Sequence, residues 1–282
     1  MSLKKCHLAD RRLLSIKGAD RISFLQGLVS NDVNKVTADH AIYSAFLTPQ
    51  GKYLSDFFIY LMNADELLLD VDPATFEGFF KKLKMYKLRS DVTLEDVSET
   101  YDIYVLFDGT VSFDDNKTLC WADPRLTEMG YRCLVKKGEP IAEGEDVPFE
   151  DYDYKRIQLG LGDGSRDFIV DKSILLENGF DELNGVDWNK GCYMGQELTA
   201  RTKYRALIKK RLVPVMIEGD IIESSDPIVF NGKDVGEIRS HCKDMALATL
   251  KIEHFNDPLT YQGKTLKVQL PDWIKIHENK DA

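Results

Sequence analysis

Residues 187–211 read DWNKGCYMGQELTARTKYRALIKKR and differ in charge from the rest of the chain. This segment holds seven basic and two acidic residues, a balance of +5, which leaves −15 for the other residues. A positive patch on a negative protein concentrates small anionic ligands through its local potential. A solvated basic face without a ligand is the alternative interpretation of the same charge pattern.

The segment also places Cys192 between two glycines, Gly191 and Gly195. Residues 197–208 contain good helix formers and no proline, which predicts a helix that begins near Gly195. Cys192 would then precede the helix N-terminus, where peptide dipoles and Lys190 favour a thiolate. Such a thiolate can act as a nucleophile, a redox sensor or one ligand shared with a partner, whereas the alternative is a small buried apolar residue.

Outside this segment the hydrophobic pattern predicts a mixed α+β protein. Strands are expected at 8–16, 92–97, 103–107 and 131–135, and an antiparallel meander is expected at 41–48, 52–62 and 67–71. Helices are expected after Asp20, at 74–86 and at 150–159. Short β-like runs at 212–217, 227–230, 235–240, 246–252 and 265–270 predict a small C-terminal β-barrel or sandwich. We therefore expect two regions, 1–206 and 207–282.

Length and composition exclude several classes of protein. The 282 residues carry a net charge of −10, which argues against direct binding of nucleic acid. The longest apolar run, at 57–62, is far shorter than the roughly 20 residues that a membrane-spanning helix needs. The N-terminal sequence MSLKKCHLADRR resembles neither a secretion signal nor a transit peptide, which favours a cytoplasmic protein.

The cysteine pattern gives no sign of a preformed metal centre. The five cysteines form no CxxC pair, and the five histidines are scattered along the chain. We therefore expect no disulfide framework and no resident metal site. Cys133 or Cys242 could approach Cys192 in space, which the spacing alone leaves open.

The octapeptide KGCYMGQE at 190–197 resembles the signature K-G-C-[FY]-x-G-Q-E of the YgfZ family. The flanking sequences agree with the family: LLEN at 175–178, LTART at 198–202, FLQGL at 24–28, NDV at 31–33 and LTPQGK at 47–52. The resemblance covers nearly the whole chain. It is strongest for the branch that includes mitochondrial iron–sulfur assembly factors and their bacterial counterparts.

The resemblance implies a fold like that of the glycine-cleavage T-protein, an aminomethyltransferase. The expected architecture is a three-part ring of antiparallel sheets and helices plus a C-terminal β-barrel, around a central channel for tetrahydrofolate. The implied role is assembly or repair of iron–sulfur clusters, with clients that include tRNA-modifying enzymes. The implied partners are iron–sulfur proteins or assembly factors, in the mitochondrial matrix if the source is eukaryotic.

Ten residues are candidates for the site. Cys192 is the expected reactive thiol. Asp56 is a second catalytic candidate, because the T-protein resemblance implies a catalytic aspartate after a comparable glycine turn and burial on the strand would raise its pKa. A strand-end aspartate that faces water is the alternative. Glu177 is expected to accept hydrogen bonds from the pterin, although a surface or capping carboxylate is the alternative. The glutamate tail of the folate needs positive charge, which we expect from Arg201, Lys203 and Arg205, because a bidentate guanidinium group suits a carboxylate best. The remaining candidates share the basic segment: Lys190, Gly191, Tyr193, Gln196, Arg201, Lys203 and Arg205.

Three functional hypotheses follow from the resemblance. The first is a folate-dependent accessory protein for iron–sulfur proteins that needs Cys192. The second is an aminomethyltransferase of the T-protein type, against which the cysteine motif argues, because aminomethyltransferases lack it. The third is a folate-binding sensor or interaction module without turnover. Whether the protein catalyses a reaction is left open by the sequence.

Overall fold

The computed structural model describes residues 2–111, 118–141, 143–205, 208–219 and 226–276. Within these ranges the chain forms two five-stranded sheets, a six-stranded closed barrel and several helices. The mixed α+β architecture and the C-terminal barrel are as predicted. The predicted boundary falls on residues 206 and 207, which lie outside the described ranges, so the division into 1–206 and 207–282 stays a prediction.

The first sheet has the strand order β10-β1-β7-β9-β8, in which only β1 and β10 pair in parallel. Its strands are β1 (Lys4–His7), β7 (Tyr101–Phe107), β8 (Leu119–Ala122), β9 (Tyr131–Lys136) and β10 (Glu145–Asp146). Helix α3 (Phe149–Gln158) follows β10, close to the predicted helix at 150–159.

The second sheet has the order β3-β4-β5-β2-β6, and all its strands are antiparallel. The strands are β2 (Arg12–Lys17), β3 (Ile42–Leu47), β4 (Tyr53–Asn63), β5 (Glu66–Val71) and β6 (Thr93–Asp96), with helices α1 (Arg21–Gln26) and α2 (Pro73–Tyr86). The predicted meander is therefore confirmed. The strand predicted at 8–16 corresponds to β2, which begins only at Arg12, whereas β1 (Lys4–His7) of the first sheet was not predicted.

The barrel closes in the order β11-β14-β13-β12-β15-β16. Its strands are β11 (Lys210–Ile217), β12 (Pro227–Phe230), β13 (Lys233–Cys242), β14 (Met245–Lys251), β15 (Leu259–Tyr261) and β16 (Lys264–Val268). Sequence reasoning missed β15, which is only three residues long. Between the sheets and the barrel lie the short helix α4 (Gly164–Asp167) and helix α5 (Gln196–Tyr204).

One apolar core joins the three parts. It contains Leu13 of the second sheet, Val105 of the first, and Leu212 and Leu247 of the barrel, all nearly inaccessible to water. Burial of this continuous core stabilises the parts against each other at ~25 cal/mol per Å² of apolar surface. The segment 187–205 is packed at the edge of this core through Tyr193.

Candidate functional site

Cys192 is exposed and lines a cavity of about 250 Å³ in front of helix α5. The helix begins at Gln196, so the thiol precedes its N-terminus as predicted, but the helix ends at Tyr204 rather than at 208. Residues 206 and 207 of the predicted helix lie outside the described ranges. The cavity is lined by Asp187, Trp188, Lys190, Gly191, Cys192, Tyr193, Gln196, Ala200 and Tyr204.

Two glycines attach the Cys192 loop to the turn between β3 and β4. Gly195 has φ +81°, and a Cβ atom there would lie 2.4 Å from the carbonyl oxygen of Thr48. Gly51 has φ +83°, and its Cβ would lie 2.7 Å from the carbonyl oxygen of Gly195. Because both positions combine a left-handed backbone with close backbone contact, only glycine fits. These contacts join the LTPQGK segment to the KGCYMGQE segment.

The FLQGL–NDV segment holds the other side of the loop. The amide of Met194 donates to the carbonyl of Gly27 at 3.1 Å. The Lys190 ammonium donates to the carbonyls of Val29 (2.6 Å) and Asn31 (2.7 Å). Burial lowers the pKa of Lys190 to about 8, although nearby carboxylates offset part of that shift. We expected Lys190 to act on the thiol or the cofactor, whereas its contacts in the structure fix the loop.

Tyr193 and Gln196 also shape the loop. The Tyr193 side chain is buried, and burial raises its pKa to about 12. Its amide donates to the side-chain oxygen of Gln196 at 3.1 Å. The buried Tyr193 ring packs in the apolar core that joins the three parts. Cofactor contacts by Lys190, Gly191, Tyr193 and Gln196 stay a prediction.

The aromatic residues Trp188 and Tyr204 line the cavity, and Trp188 is held by neighbouring charged side chains. The indole N–H of Trp188 donates to Asp181 at 2.6 Å, and Lys203 pairs with the same carboxylate at 3.0 Å. The Lys203 ammonium lies 4.0 Å from the Trp188 ring centroid. Tyr204 packs edge-on against Trp188 and is 75% exposed. Of the three cations expected to bind the folate tail, Lys203 is therefore engaged within the chain.

Arg201 and Arg205 are exposed and form no ion pair with another described residue. Neither arginine lines the Cys192 cavity. Both guanidinium groups are therefore available to an anionic partner, and their predicted contact with a folate tail stays a prediction.

Glu177 lies in a single helical turn, Leu175–Asn178, next to β11. Its carboxylate is half-buried and makes no hydrogen bond to the described part of the chain. Burial raises the pKa of Glu177, and Lys210 and Lys52 offset part of that shift. A half-buried acceptor without a donor matches the predicted role toward a pterin, although Glu177 does not line the Cys192 cavity.

Asp56 lies on β4 and is only 3% exposed. Its two oxygens accept hydrogen bonds from the hydroxyl groups of Tyr43 (2.8 Å) and Tyr53 (2.6 Å). Burial raises its pKa to about 6, as predicted, and the two hydroxyl groups with Arg11 limit the shift. The structure does not place Asp56 in the Cys192 cavity, so its catalytic role stays a prediction.

Sequence reasoning missed a buried ion-pair cluster that joins the two sheets. Asp70 on β5 accepts from Arg132 on β9 at 2.5 Å and from Arg11 at 2.5 Å. Burial would raise the pKa of Asp70, but the two guanidinium groups outweigh it and hold the pKa below its ordinary value. Asp70 and Arg132 are 62 residues apart, so no local pattern could have revealed the pair.

One disulfide contradicts the expectation that the cysteines form no disulfide framework. Cys120 on β8 and Cys133 on β9 are directly paired residues of neighbouring strands and form a disulfide, which we did not expect. The cysteine spacing gave no sign of this pairing, because it depends on strand register. Cys6 and Cys242 are buried, and neither lines the Cys192 cavity. The described residues contain no group of three or more His, Cys, Asp or Glu side chains placed to hold a metal ion.

Two family descriptions match the chain: "GCVT N-terminal domain" at residues 8–108 and "CAF17, C-terminal beta-barrel domain" at residues 209–276. The mouse protein "Iron-sulfur cluster assembly factor IBA57, mitochondrial" is 31% identical over 94% of this chain and 84% of its own length. The chain belongs to the CAF17/IBA57/YgfZ family. The resemblance of the motif at 190–197 to the YgfZ signature is therefore confirmed as a sign of family membership.

Other members of the CAF17/IBA57/YgfZ family are longer than this chain. The IBA57 homologue of Mycosarcoma maydis is 36% identical over 75% of this chain, and that of Neurospora crassa is 32% identical over 74%. This family member spans 57% and 53% of their respective lengths. Among the described residues, no helix is both long and apolar enough to cross a membrane.

A solved structure shares the fold. The glycine cleavage system aminomethyltransferase T from Bartonella henselae superposes with a TM-score of 0.76, over 97% of this chain and 86% of that protein. The sequence identity is 13%, so the likeness shows the fold alone. The expected T-protein-like α+β fold with a C-terminal barrel is therefore confirmed for this CAF17/IBA57/YgfZ member, whereas the central folate channel stays a prediction.

Proposed function

We propose that this chain is an accessory protein for the assembly or repair of iron–sulfur clusters, with Cys192 as its reactive group. The observation that carries the proposal is an exposed thiol in a cavity, on a loop held by the Gly195–Thr48, Met194–Gly27 and Lys190 contacts. The IBA57 relatives named above are iron–sulfur cluster assembly factors. Thiolates are soft ligands that suit iron–sulfur clusters.

Cys192 supplies at most one bond to a cluster. The cluster would be the cargo of this protein, and an iron–sulfur protein or assembly factor would supply the other ligands. A rigid loop lowers the entropy lost when the thiol is brought to such a partner. The fixed position of Cys192 therefore favours a thiol that meets a docked partner over a thiol on a mobile, redox-active loop.

Tetrahydrofolate is the cofactor that we propose, with Glu177 as the acceptor for the pterin donors. The fit rests on the unpartnered, half-buried carboxylate of Glu177, flanked by Lys52 and Lys210. Pockets for ligands of this size usually enclose ~300–1,000 Å³, whereas the Cys192 cavity encloses about 250 Å³. We therefore propose Glu177 as the contact of the pterin, and contacts of the cofactor with Lys190, Gly191, Tyr193 and Gln196 in the Cys192 cavity stay a prediction.

Complementation of a strain that lacks the protein tests the function. We expect Cys192→Ala to leave iron–sulfur enzymes inactive, because the only exposed free thiol of the described residues is lost. Cys242→Ala is the matched control, since Cys242 is a free but buried thiol in the barrel. Full rescue by the Cys192 variant would remove the thiol from the function.

Titration with tetrahydrofolate tests the cofactor. Binding is followed by the fluorescence of Trp121, Trp188 and Trp273 and by calorimetry. We expect Glu177→Gln to weaken binding, whereas Glu95→Gln on β6 leaves it unchanged. No heat and no fluorescence change with the unmodified protein would refute the folate proposal without affecting the complementation result.

The aminomethyltransferase alternative and the cellular compartment have separate tests. Purified protein with tetrahydrofolate and an aminomethylated carrier would release ammonia if it were an aminomethyltransferase, and we expect no release. The named relatives are mitochondrial, so we propose the mitochondrial matrix for a eukaryotic source and the cytoplasm for a bacterial one. Fractionation of cells that express a tagged chain checks this assignment.

A further inference from the structure

We propose that the exposed C-terminal part of α5, with the following residue Arg205 and with Gly191, is a docking surface for an acidic protein segment. We call it the α5 surface and define it by Gly191, Arg201, Tyr204 and Arg205. The inference rests on the proposed function, because it names the kind of partner that approaches Cys192. Its evidence is the charge, the exposed aromatic ring and the open space beside the thiol.

The charge of the α5 surface opposes that of the protein. Arg201 and Arg205 are exposed and make no ion pair within the described ranges. They belong to a segment of balance +5 in a chain of net charge −10. A locally positive surface attracts acidic segments and raises their association rate. The negative charge of the whole chain disfavours a nucleic acid on the same surface.

An aromatic anchor stands beside these cations. Tyr204 is 75% exposed and packs against Trp188, which is in turn fixed by Asp181 and Lys203. Tyrosine, tryptophan and arginine are the residues that most often dominate binding energy at protein interfaces. The ring is held in place before binding, so little side-chain entropy is lost when a partner covers it.

Gly191 leaves open the space next to Cys192. A Cβ atom at Gly191 would meet no heavy atom within 4 Å, and its φ is not positive. The fold therefore does not need a glycine at this position, in contrast to Gly195, where a Cβ would lie 2.4 Å from Thr48. Absence of a side chain allows the backbone of another molecule to approach closely. We assign that role to Gly191.

Thiol–disulfide exchange with charged peptides tests the α5 surface. The probes are two short synthetic peptides, one rich in glutamate and one in lysine, each with one cysteine activated as a mixed disulfide with thionitrobenzoate. The Cys192 thiolate attacks the peptide sulfur, forms a mixed disulfide with the peptide and releases thionitrobenzoate, whose absorbance is measured. Cys192→Ser gives the background rate.

We expect the acidic peptide to react about tenfold faster than the basic one at low salt, since steering by charge accelerates association by 10–10³. The double variant Arg201→Gln, Arg205→Gln should abolish this preference, as should high salt. An uncharged reagent, dithiodipyridine, should react equally with all variants that retain Cys192. Equal rates for both peptides, or a faster basic peptide, would overturn the inference.

Gly191→Ala tests the open space. A displacement of ~1 Å in a reacting pair costs up to about 100-fold in rate, so the added methyl group should slow the acidic peptide about tenfold. The rate with dithiodipyridine should not change. Unchanged peptide rates would overturn the role of Gly191.

Two further results separate this inference from the function on which it rests. Loss of complementation in Cys192→Ala without any charge preference would leave the proposed function standing and refute the α5 surface. Tighter binding of a single-stranded oligonucleotide than of the acidic peptide, measured by fluorescence anisotropy, would identify nucleic acid as the partner and also refute it.

Discussion

Replacement of Gly195 by alanine should destabilise the protein because two costs add at this position. The backbone has φ +81°, and a left-handed conformation costs a residue with a Cβ about 1–2 kcal/mol. The Cβ would also lie 2.4 Å from the Thr48 oxygen and 2.9 Å from Leu47. Overpacking of this kind costs about 1–3 kcal/mol, so we expect a loss of roughly 2–5 kcal/mol.

The assay is urea unfolding followed by tryptophan fluorescence, with Gly191→Ala as the matched control. Gly191 lies four residues earlier in the same loop, but its Cβ would occupy open space. A surface substitution without a structural contact usually changes stability by less than about 0.5 kcal/mol. Equal unfolding midpoints for the two variants would refute the claim that Gly195 locks the loop onto the β3–β4 turn.

Three other substitutions test the site and its support. Asp56→Asn should remove a pH dependence of the free energy of unfolding. The pKa of Asp56 is about 6 in the fold against an ordinary 3.8, so the stabilisation by its protonated side chain is complete below pH 3.8. This stabilisation, roughly 3 kcal/mol, is lost as the pH rises through 6. Arg132→Met should cost about 3 kcal/mol or more, because buried Asp70 loses a partner, whereas exposed Lys137→Met should cost less than about 1 kcal/mol. Glu177→Gln should weaken tetrahydrofolate binding in calorimetry without changing the unfolding midpoint.

A different result would contradict each of these three predictions. A wild-type protein and an Asp56→Asn variant with parallel stability profiles between pH 4 and pH 6.5 would contradict the raised pKa. Equal effects of the Arg132 and Lys137 substitutions would contradict a buried, sheet-joining ion pair. Unchanged folate affinity in Glu177→Gln would move the pterin away from that carboxylate.

Local patterns predicted most strands and helices of this protein. The meander β3–β5 was predicted because tight turns at Gly51 and Asp65 separate runs of apolar residues. Strand β1 was not predicted and β2 begins four residues later than predicted, because the switch between two sheets depends on partners far along the chain. The short strand β15 was missed for lack of a pattern in three residues.

The sequence predicted that Cys192 lies just before a helix, but it did not predict the contacts that hold the Cys192 loop. The motif placed Cys192 before a helix, and the structure confirms that placement. The contacts of Lys190 with Val29 and Asn31 join residues about 160 positions apart, so its loop-fixing role could not be predicted. The Cys120–Cys133 disulfide was likewise hidden, because it follows from the register of β8 and β9.

We propose that the exposed Cys192 thiol is the group through which this protein acts in iron–sulfur cluster assembly. The most direct measurement is the activity of an iron–sulfur enzyme in deletion cells that carry either Cys192→Ala or Cys242→Ala. We expect background activity with the first variant and near wild-type activity with the second, at equal protein levels. Wild-type activity with Cys192→Ala would contradict it.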